Sequence, residues 1–190
     1  MDKKKEFIDL YKKHIKREGA DKLLKFLEES DFFTAPASTK FHNNFEGGLC
    51  EHSINAYHRF KKLCEAEKNK ASEETVAVIA LLHDICKTAY YTVEMRNVKN
   101  DQGEWVKKPY YAVKDTLPFG HGEKSVYIIS GFMRLTREEA MAINWHMGGF
   151  DDRVQGGSYS SSTAYYQFPL ALLFHLADMQ ATYLDEKVVE

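Results

Sequence analysis

The sequence predicts a single, mainly helical domain into which a small β-hairpin is inserted, and three observations lead to this fold class. The chain has 190 residues, which is near the usual size of one domain and long enough to bury roughly 70% of its unfolded surface. Apolar residues recur at the three- and four-residue spacing of amphipathic helices along most of the chain. Residues 90–113 differ, because β-branched and aromatic residues predominate there. Since no internal repeat or low-complexity linker divides the chain, residues 1–190 are predicted to form one domain.

The N-terminal segment, residues 1–30, is predicted to form two amphipathic helices. Apolar residues follow helical spacing to about Glu29, and Gly19 interrupts the pattern. Residues 30–48 contain a proline, two glycines and several small polar residues, so we expect an irregular connection there. A third helix is predicted over 49–63 from its apolar spacing.

The middle of the chain is predicted to contain a buried helix followed by the hairpin. Residues 72–74 carry a serine and two glutamates, which is typical of a helix N-terminus. The run 76–86 is apolar around most of its circumference and is expected to be a buried helix. Residues 90–113 are predicted to form the hairpin, with Asn100 and Gly103 in its turn.

The C-terminal part is predicted to contain three further helices and one mobile loop. Residues 121–133 resume helical spacing, and Thr136 with Glu139 forms a capping-box signature for a helix that reaches about residue 146. Glycines and serines dominate residues 147–163, which we expect to be a mobile loop. The last apolar helix is predicted over 169–184 and begins with a proline.

Composition and charge exclude several classes of protein. Lysine and arginine total 26 against 28 acidic residues, so we expect no nonspecific binding to duplex nucleic acid. No apolar stretch approaches the ~20 residues that span a bilayer, so no membrane span is predicted. The three cysteines, Cys50, Cys64 and Cys86, are odd in number and include no CxxC pair, which favours a reducing, cytoplasmic location.

Six potential metal ligands recur at similar intervals along the predicted helices. They are His52, His83, Asp84, His121, His146 and Asp178. In an antiparallel bundle, successive helices of comparable length return such positions to one level, where imidazole and carboxylate groups can enclose metal ions. Asp84 also lies in an otherwise apolar run, and a buried carboxylate is costly unless it is paired or metal-bound.

The segments around these residues resemble the HD-domain metal-dependent phosphohydrolase superfamily. The similar segments read GGLCEHS, ALLHDICK, GHGEKS, INWHMGG and FHLADM in chain order. The resemblance spans roughly residues 41–186. It implies an HD-domain-like all-α core of five or more helices that carries a metal centre, with the hairpin at about 90–113 as an insertion.

The resemblance also implies a dinuclear ligand set. One metal would take His52, His83, Asp84 and Asp178, while Asp84 would bridge to a second metal held by His121 and His146. A mononuclear member would need only the first four residues. This mixed imidazole and carboxylate set suits two divalent transition metals, Mn, Fe, Co, Ni or Zn, better than Mg or Ca.

Further residues near these motifs are candidates for substrate binding or catalysis. Lys87 follows His83 by one helical turn in the predicted helix, so it either meets a substrate phosphate or pairs with Asp84. Lys124 and Arg153 are further phosphate candidates, with surface solvation as the alternative. His42 resembles a loop histidine near HD-domain sites and is a candidate general acid or substrate contact. His175 precedes Asp178 by one turn and either lines the pocket or packs in the core.

The leading functional hypothesis is a phosphohydrolase in which a metal-activated water cleaves a phosphomonoester or phosphodiester of a nucleotide or short oligonucleotide. The first alternative is a di-iron HD-domain oxygenase that acts on a polyol or phosphonate. The second is a noncatalytic nucleotide-binding sensor. Tyr90, Tyr91, Tyr110 and Tyr111 are predicted to pair across the hairpin. The functional alternative is that the hairpin and the loop over 148–162 roof the metal cleft and stack on a nucleobase.

Overall fold

The computed structural model describes residues 2–187 and confirms a mainly helical fold with one two-stranded hairpin. Its elements, in chain order, are α1 (Lys3–His14), α2 (Ala20–Glu29), α3 (Gly48–Ala66), α4 (Glu73–Leu82), β1 (Tyr91–Lys99), β2 (Trp105–Val113), α5 (His121–Ser130), α6 (Arg137–Trp145), α7 (Asp152–Gln155), α8 (Ser160–Gln167) and α9 (Pro169–Gln180). Within this described part, no helix is both long and apolar enough to cross a membrane.

Helix α4 lies at the centre of the fold. The Ser72 side chain caps it by accepting a hydrogen bond from the backbone N–H of Thr75, and every residue from Val76 to Leu82 is buried. Helices α1, α3 and α6 pack against α4, and α9 packs against both α3 and α6. A helix that is apolar on all sides is stable only when neighbours surround it. The apolar sequence of α4 therefore explains its central position. Because α4 is buried, the residues that follow Leu82 also lie in the interior.

Helices α1 and α2 confirm the prediction of two N-terminal helices interrupted at Gly19. The Asp2 carboxylate caps α1, and Gly19 adopts a φ of 88°, in the left-handed region that favours glycine. The Arg17 guanidinium then binds Glu139 of α6, with Nη1 2.7 Å from Oε2. Since the Glu139 side chain is fully buried, this ion pair anchors the N-terminal helices to the core.

The hairpin forms over the predicted residues. Strands β1 and β2 pair antiparallel from Tyr91 opposite Val113 to Lys99 opposite Trp105. The turn contains Gly103 with a φ of 83°. The pattern of β-branched and aromatic residues thus located this element correctly.

The prediction of a continuous helix over 76–86 is wrong at its C-terminal end. Helix α4 ends at Leu82, and residues Ile85–Lys87 form a separate 3₁₀ turn. The His83 ring accounts for the break, because its Nδ1 donates to the carbonyl oxygen of Ala80 at 2.9 Å. This carbonyl is one of those that a helix end leaves without a partner.

The prediction of a loop over 147–163 is also wrong in part. A 3₁₀ turn covers Gly148–Phe150, α7 follows, and α8 begins at Ser160. The Asp151 carboxylate caps α7, and the Tyr165 hydroxyl of α8 donates to the carbonyl of Trp145 at 3.0 Å. The Asp151 cap and the bond from Tyr165 to α6 order a segment whose composition is typical of loops. Helices α5 and α9 are shorter than predicted, and a π-helical turn, Ala181–Asp185, continues α9.

Candidate metal centre

The fold brings the six predicted ligands together from five different parts of the chain. His52 lies within α3, His83 and Asp84 follow α4, His121 is the first residue of α5, His146 follows α6, and Asp178 lies near the end of α9. The side chains of His52, His83, Asp84 and His146 are at most 2% exposed. Asp178 and His121 are 14% and 25% exposed and form the open side of the cluster.

Asp84 lies at the middle of this cluster, and its two carboxylate oxygens face different histidines. Oδ2 is 3.5 Å from the Nε2 atoms of both His52 and His83. Oδ1 is 2.7 Å from Nε2 of His121 and 3.6 Å from Nε2 of His146. This arrangement divides the cluster into two halves that share one carboxylate.

His83 and His146 are held in the same way at the ends of their helices. The Nδ1 atom of His83 donates to the carbonyl of Ala80, and Nδ1 of His146 donates to the carbonyl of Ile143 at 2.7 Å. A carbonyl oxygen only accepts hydrogen bonds, so the proton must be on Nδ1 in both rings. In both rings Nε2 is therefore the nitrogen that faces the centre and is free to act as a metal ligand.

Glu186 orients His52 and is a functional residue that the sequence analysis missed. Its Oε1 is 2.9 Å from Nδ1 of His52, and its Oε2 is 2.6 Å from Nδ1 of His42. Burial opposes ionisation of Glu186, but the two imidazoles outweigh it and lower the carboxyl pKa to about 2. A carboxylate behind a histidine is the usual outer partner of a metal-binding imidazole. No local sequence signal marks Glu186, because it reaches this position only through the π-helical turn.

The geometry of the first half fits a bound cation. The Nε2 atoms of His52 and His83 face each other at 3.0 Å, and Oδ1 of Asp178 lies 3.1 Å from Nε2 of His52. Burial disfavours the charged form of His52, but Glu186 and Asp178 outweigh it and raise the pKa of His52 to about 10. Burial lowers the pKa of His83 to about 3. Without metal, His52 is therefore protonated, and its proton lies between Nε2 of His52 and Nε2 of His83. A bound cation would take the place of this proton between the two nitrogens.

Two buried polar atoms of the cluster provide a second test of fit. Nε2 of His146 has no hydrogen-bond partner among residues 2–187, and Oδ1 of Asp178 has only the ion-pair contact with His52, which lacks the alignment of a hydrogen bond. Buried polar atoms without a partner are rare and costly in folded proteins. Both are atom types that bind divalent transition metals. Ligand atoms of the cluster converge in three groups: His52 with His83 and Asp178, His83 with Asp84 and His146, and Asp84 with Cys86 and His121. The donor set is thus compatible with divalent metal binding.

The structure places Lys87 against Asp84. Nζ of Lys87 is 2.6 Å from Oδ2 of Asp84, and the two side chains are 11% and 2% exposed. Burial opposes the charge on both groups, but their mutual attraction raises the pKa of Lys87 and keeps that of Asp84 well below its ordinary value. Of the two roles expected for Lys87, pairing with Asp84 is the one present here.

A cavity of about 320 Å³ opens beside His121. Its walls include Tyr90 before the hairpin, Phe119 before α5, and Phe150 in the segment that follows α6. Cys86 also lines the cavity next to the cluster. The segment after α6 borders this cavity, as predicted for the loop over 148–162. The hairpin does not, because no residue of β1 or β2 lines the cavity and only Tyr90, just before β1, reaches it.

Lys124 and Arg153 both line this cavity, and both are paired with acidic groups. Nζ of Lys124 is 2.5 Å from Oδ1 of Asp115. The Arg153 guanidinium binds Asp151 at 2.7 Å and Glu123 at 2.5 Å. The cavity wall thus carries charges of both signs in compensated pairs.

His42 and His175 lie behind the cluster. His42 contacts Glu186 on the far side of His52, as described above. Nδ1 of His175 donates to the carbonyl of His146 at 2.6 Å, and its ring stacks on Tyr165. Both residues therefore support ligand histidines, and their predicted roles in catalysis and substrate binding stay predictions.

Comparison with known proteins identifies the family. The family model for the HD domain matches residues 49–178, which is more than half of the chain and contains all six residues of the cluster. No curated protein and no solved structure matches the chain significantly. The matched region begins within the first turn of α3 and ends at Asp178. The chain therefore belongs to the HD-domain family.

Proposed function

We propose that this protein is a metal-dependent phosphohydrolase that cleaves a phosphomonoester or phosphodiester of a nucleotide or short oligonucleotide. The HD-domain family consists largely of metal-dependent phosphohydrolases, and this chain retains a cluster compatible with a metal site. The observation that carries the proposal is the position of Asp84, whose two oxygens face two separate sets of histidines. A carboxylate that serves two halves of one site suits a dinuclear centre.

In the proposed centre, His52, His83 and Asp178 would hold one divalent transition metal, His121 and His146 would hold the second, and Asp84 would contribute to both positions. When bound, such cations would lower the pKa of a water molecule toward neutrality and would offset negative charge on a phosphoryl group. Glu186 keeps Nε2 of His52 directed at the centre. Lys87 holds Asp84 in place through Oδ2.

The cavity beside His121 is the proposed site for the leaving group of the substrate. Tyr90, Phe119 and Phe150 offer aromatic surface on which a nucleobase can stack. The first residue of α5 also borders the cavity, and the N-terminus of a helix favours a phosphate. Lys124 and Arg153 line the same wall, where each is paired with a carboxylate that a substrate phosphate would have to replace.

The first experiment is a measurement of metal identity and stoichiometry by elemental mass spectrometry. The protein is purified without chelator or affinity metal, and the His121→Ala variant is treated identically. We expect close to two metals per chain in the wild type and a fall toward one in the variant. No bound metal in the wild type, even after reconstitution, would overturn the proposed function.

The second experiment tests hydrolysis directly. Metal-loaded protein is assayed with nucleoside monophosphates, cyclic nucleotides, dinucleotides and aryl phosphates, and Asp84→Asn is the matched inactive control. We expect phosphate or nucleotide release that Asp84→Asn reduces by at least about a hundredfold, since the substitution removes a metal ligand and not only an outer partner. Absence of hydrolysis across the panel, or equal activity in the variant, would contradict the proposal.

A further inference from the structure

Cys86 lies inside the second half of the cluster. Cys86 is 2% exposed and lies in the 3₁₀ turn Ile85–Lys87, two residues after Asp84. Sγ is 3.5 Å from Nε2 and 3.6 Å from Nδ1 of His121. Sγ of Cys86, a carboxylate oxygen of Asp84 and a ring nitrogen of His121 all lie within 4.8 Å of one another. The thiol therefore shares the space of two proposed metal ligands.

A second observation points to a missing ligand next to the same carboxylate, in the neighbouring group of His83, Asp84 and His146. Nε2 of His146 is buried and has no hydrogen-bond partner among the described residues. It lies 3.6 Å from Oδ1 of Asp84, the oxygen that also contacts His121. Because Nδ1 of His146 donates to the carbonyl of Ile143, Nε2 is the ring nitrogen that faces the centre and that a cation would bind.

The sulfur lies close enough to His121 for the two side chains to share one cation once the imidazole rotates. Metal bonds of about 2.3 Å to sulfur and about 2.1 Å to nitrogen, at a tetrahedral angle, place the two ligand atoms about 3.6 Å apart. Sγ of Cys86 is 3.5 Å from Nε2 and 3.6 Å from Nδ1 of His121, so in this structure it lies beside the ring and not along the lone pair of Nε2. The backbone supports this position, since the N–H of Cys86 donates to Oγ of Ser125 at 3.3 Å.

We propose that Cys86 is a thiolate ligand of the second metal position, together with Asp84, His121 and His146. Thiolate is a soft ligand, so this position would select Zn²⁺, Fe²⁺ or Co²⁺ over Mn²⁺ and Mg²⁺. The inference rests on the metal centre of the proposed function and adds a ligand type that neither the motifs nor the family match supplies. The opposing interpretation is a packed thiol that makes only a weak S–H···N contact with His121.

Cobalt titration of the full-length, metal-free protein tests the proposal. We expect thiolate-to-cobalt charge-transfer absorption in the near ultraviolet, in addition to the visible bands of cobalt bound by imidazole and carboxylate. Cys86→Ser should abolish the charge-transfer band and weaken Co²⁺ binding at one position by more than about tenfold, since loss of an outer partner alone costs that much. Cys64→Ser is the matched control, because Cys64 is a buried free cysteine within α3, and it should keep the band.

The outcomes separate this proposal from the proposed function. Visible cobalt bands without charge-transfer absorption in the wild type would overturn the role of Cys86 and leave the metal centre intact. Failure to bind cobalt at all would overturn both. If Cys86→Ser does not fold, X-ray absorption on the zinc-loaded wild type decides the question, because a thiolate ligand gives sulfur scattering at about 2.3 Å and its absence refutes the proposal.

Discussion

Replacing Lys87 with methionine is the most direct test of the electrostatics of the centre. Methionine has an unbranched side chain of similar length to that of lysine but lacks the charge that faces Asp84. Nζ of Lys87 is 2.6 Å from Oδ2 of Asp84, with side chains 11% and 2% exposed. Breaking a buried ion pair by removing one partner costs about 3–5 kcal/mol, because the other charge stays buried without compensation. We expect Lys87→Met to lower the free energy of unfolding of the metal-free protein toward the lower end of that range, because Nε2 of His121 still lies 2.7 Å from Oδ1 of Asp84.

The matched control is Lys25→Met, which removes the same charge from an exposed pair. Nζ of Lys25 is 3.6 Å from Oε1 of Glu29, and these side chains are 73% and 68% exposed. Such helix pairs contribute about 0.3–0.5 kcal/mol. Urea unfolding in the presence of a chelator measures both variants, and the midpoint should shift clearly only for Lys87→Met.

The same measurement with bound metal completes the test. Divalent cations at the centre would compensate Asp84 in place of the lysine, so the destabilisation by Lys87→Met should be smaller in the metal-loaded protein. A loss below about 1 kcal/mol without metal, as for an exposed pair, would refute the claim that Lys87 compensates a buried charge. An equal loss with and without metal would refute metal binding at Asp84.

Three further predictions concern the scaffold and the cavity. Gly148→Ala should lower the free energy of unfolding by about 1–3 kcal/mol, because the φ of Gly148 is +54° and an added Cβ would lie 2.4 Å from the His175 ring. In the control Gly149→Ala, the added Cβ meets no atom within 4 Å. Urea unfolding should therefore show no change for the control. Arg17→Met should lower the free energy of unfolding by about 3–5 kcal/mol, because it leaves the buried carboxylate of Glu139 without its charged partner. Thermal or urea unfolding measures this loss, and a smaller loss would contradict the prediction. Lys124→Met should raise KM about tenfold or more for the best substrate with a smaller effect on kcat, and an unchanged KM would remove Lys124 from the substrate site.

The sequence was sufficient to predict the helices of the core and to identify six candidate ligands that the fold brings together. Amphipathic spacing located the helices of the core, and the capping box at Thr136 and Glu139 is present at the start of α6. The six candidate ligands converge because each lies near one end of its helix, or in the first half of α3, at the same level of the bundle. Residue type and order therefore carry most of the information about the centre.

Other features depend on tertiary contacts that local patterns do not encode. Glu186 is 134 residues from His52 in the chain, and the bond between them exists only because α3 and the turn after α9 pack together. Helix α8 is rich in serine and tyrosine, which are only moderate helix formers. Its burial of Ala164 and the bond from Tyr165 to Trp145 stabilise it instead. The end of α4 was missed because a side chain, the His83 ring, replaces the helical bonding there.

The position of His83 and His146 at the ends of α4 and α6 has a consequence for the order of binding. The C-terminus of a helix carries the equivalent of about half a negative charge from aligned peptide dipoles. Both ends meet at the buried centre, where salt screens such charge only weakly. The backbone itself therefore attracts cations to this point and repels an anionic phosphate ester from the empty centre. We expect metal to bind first and the substrate to bind only to the metal-loaded protein.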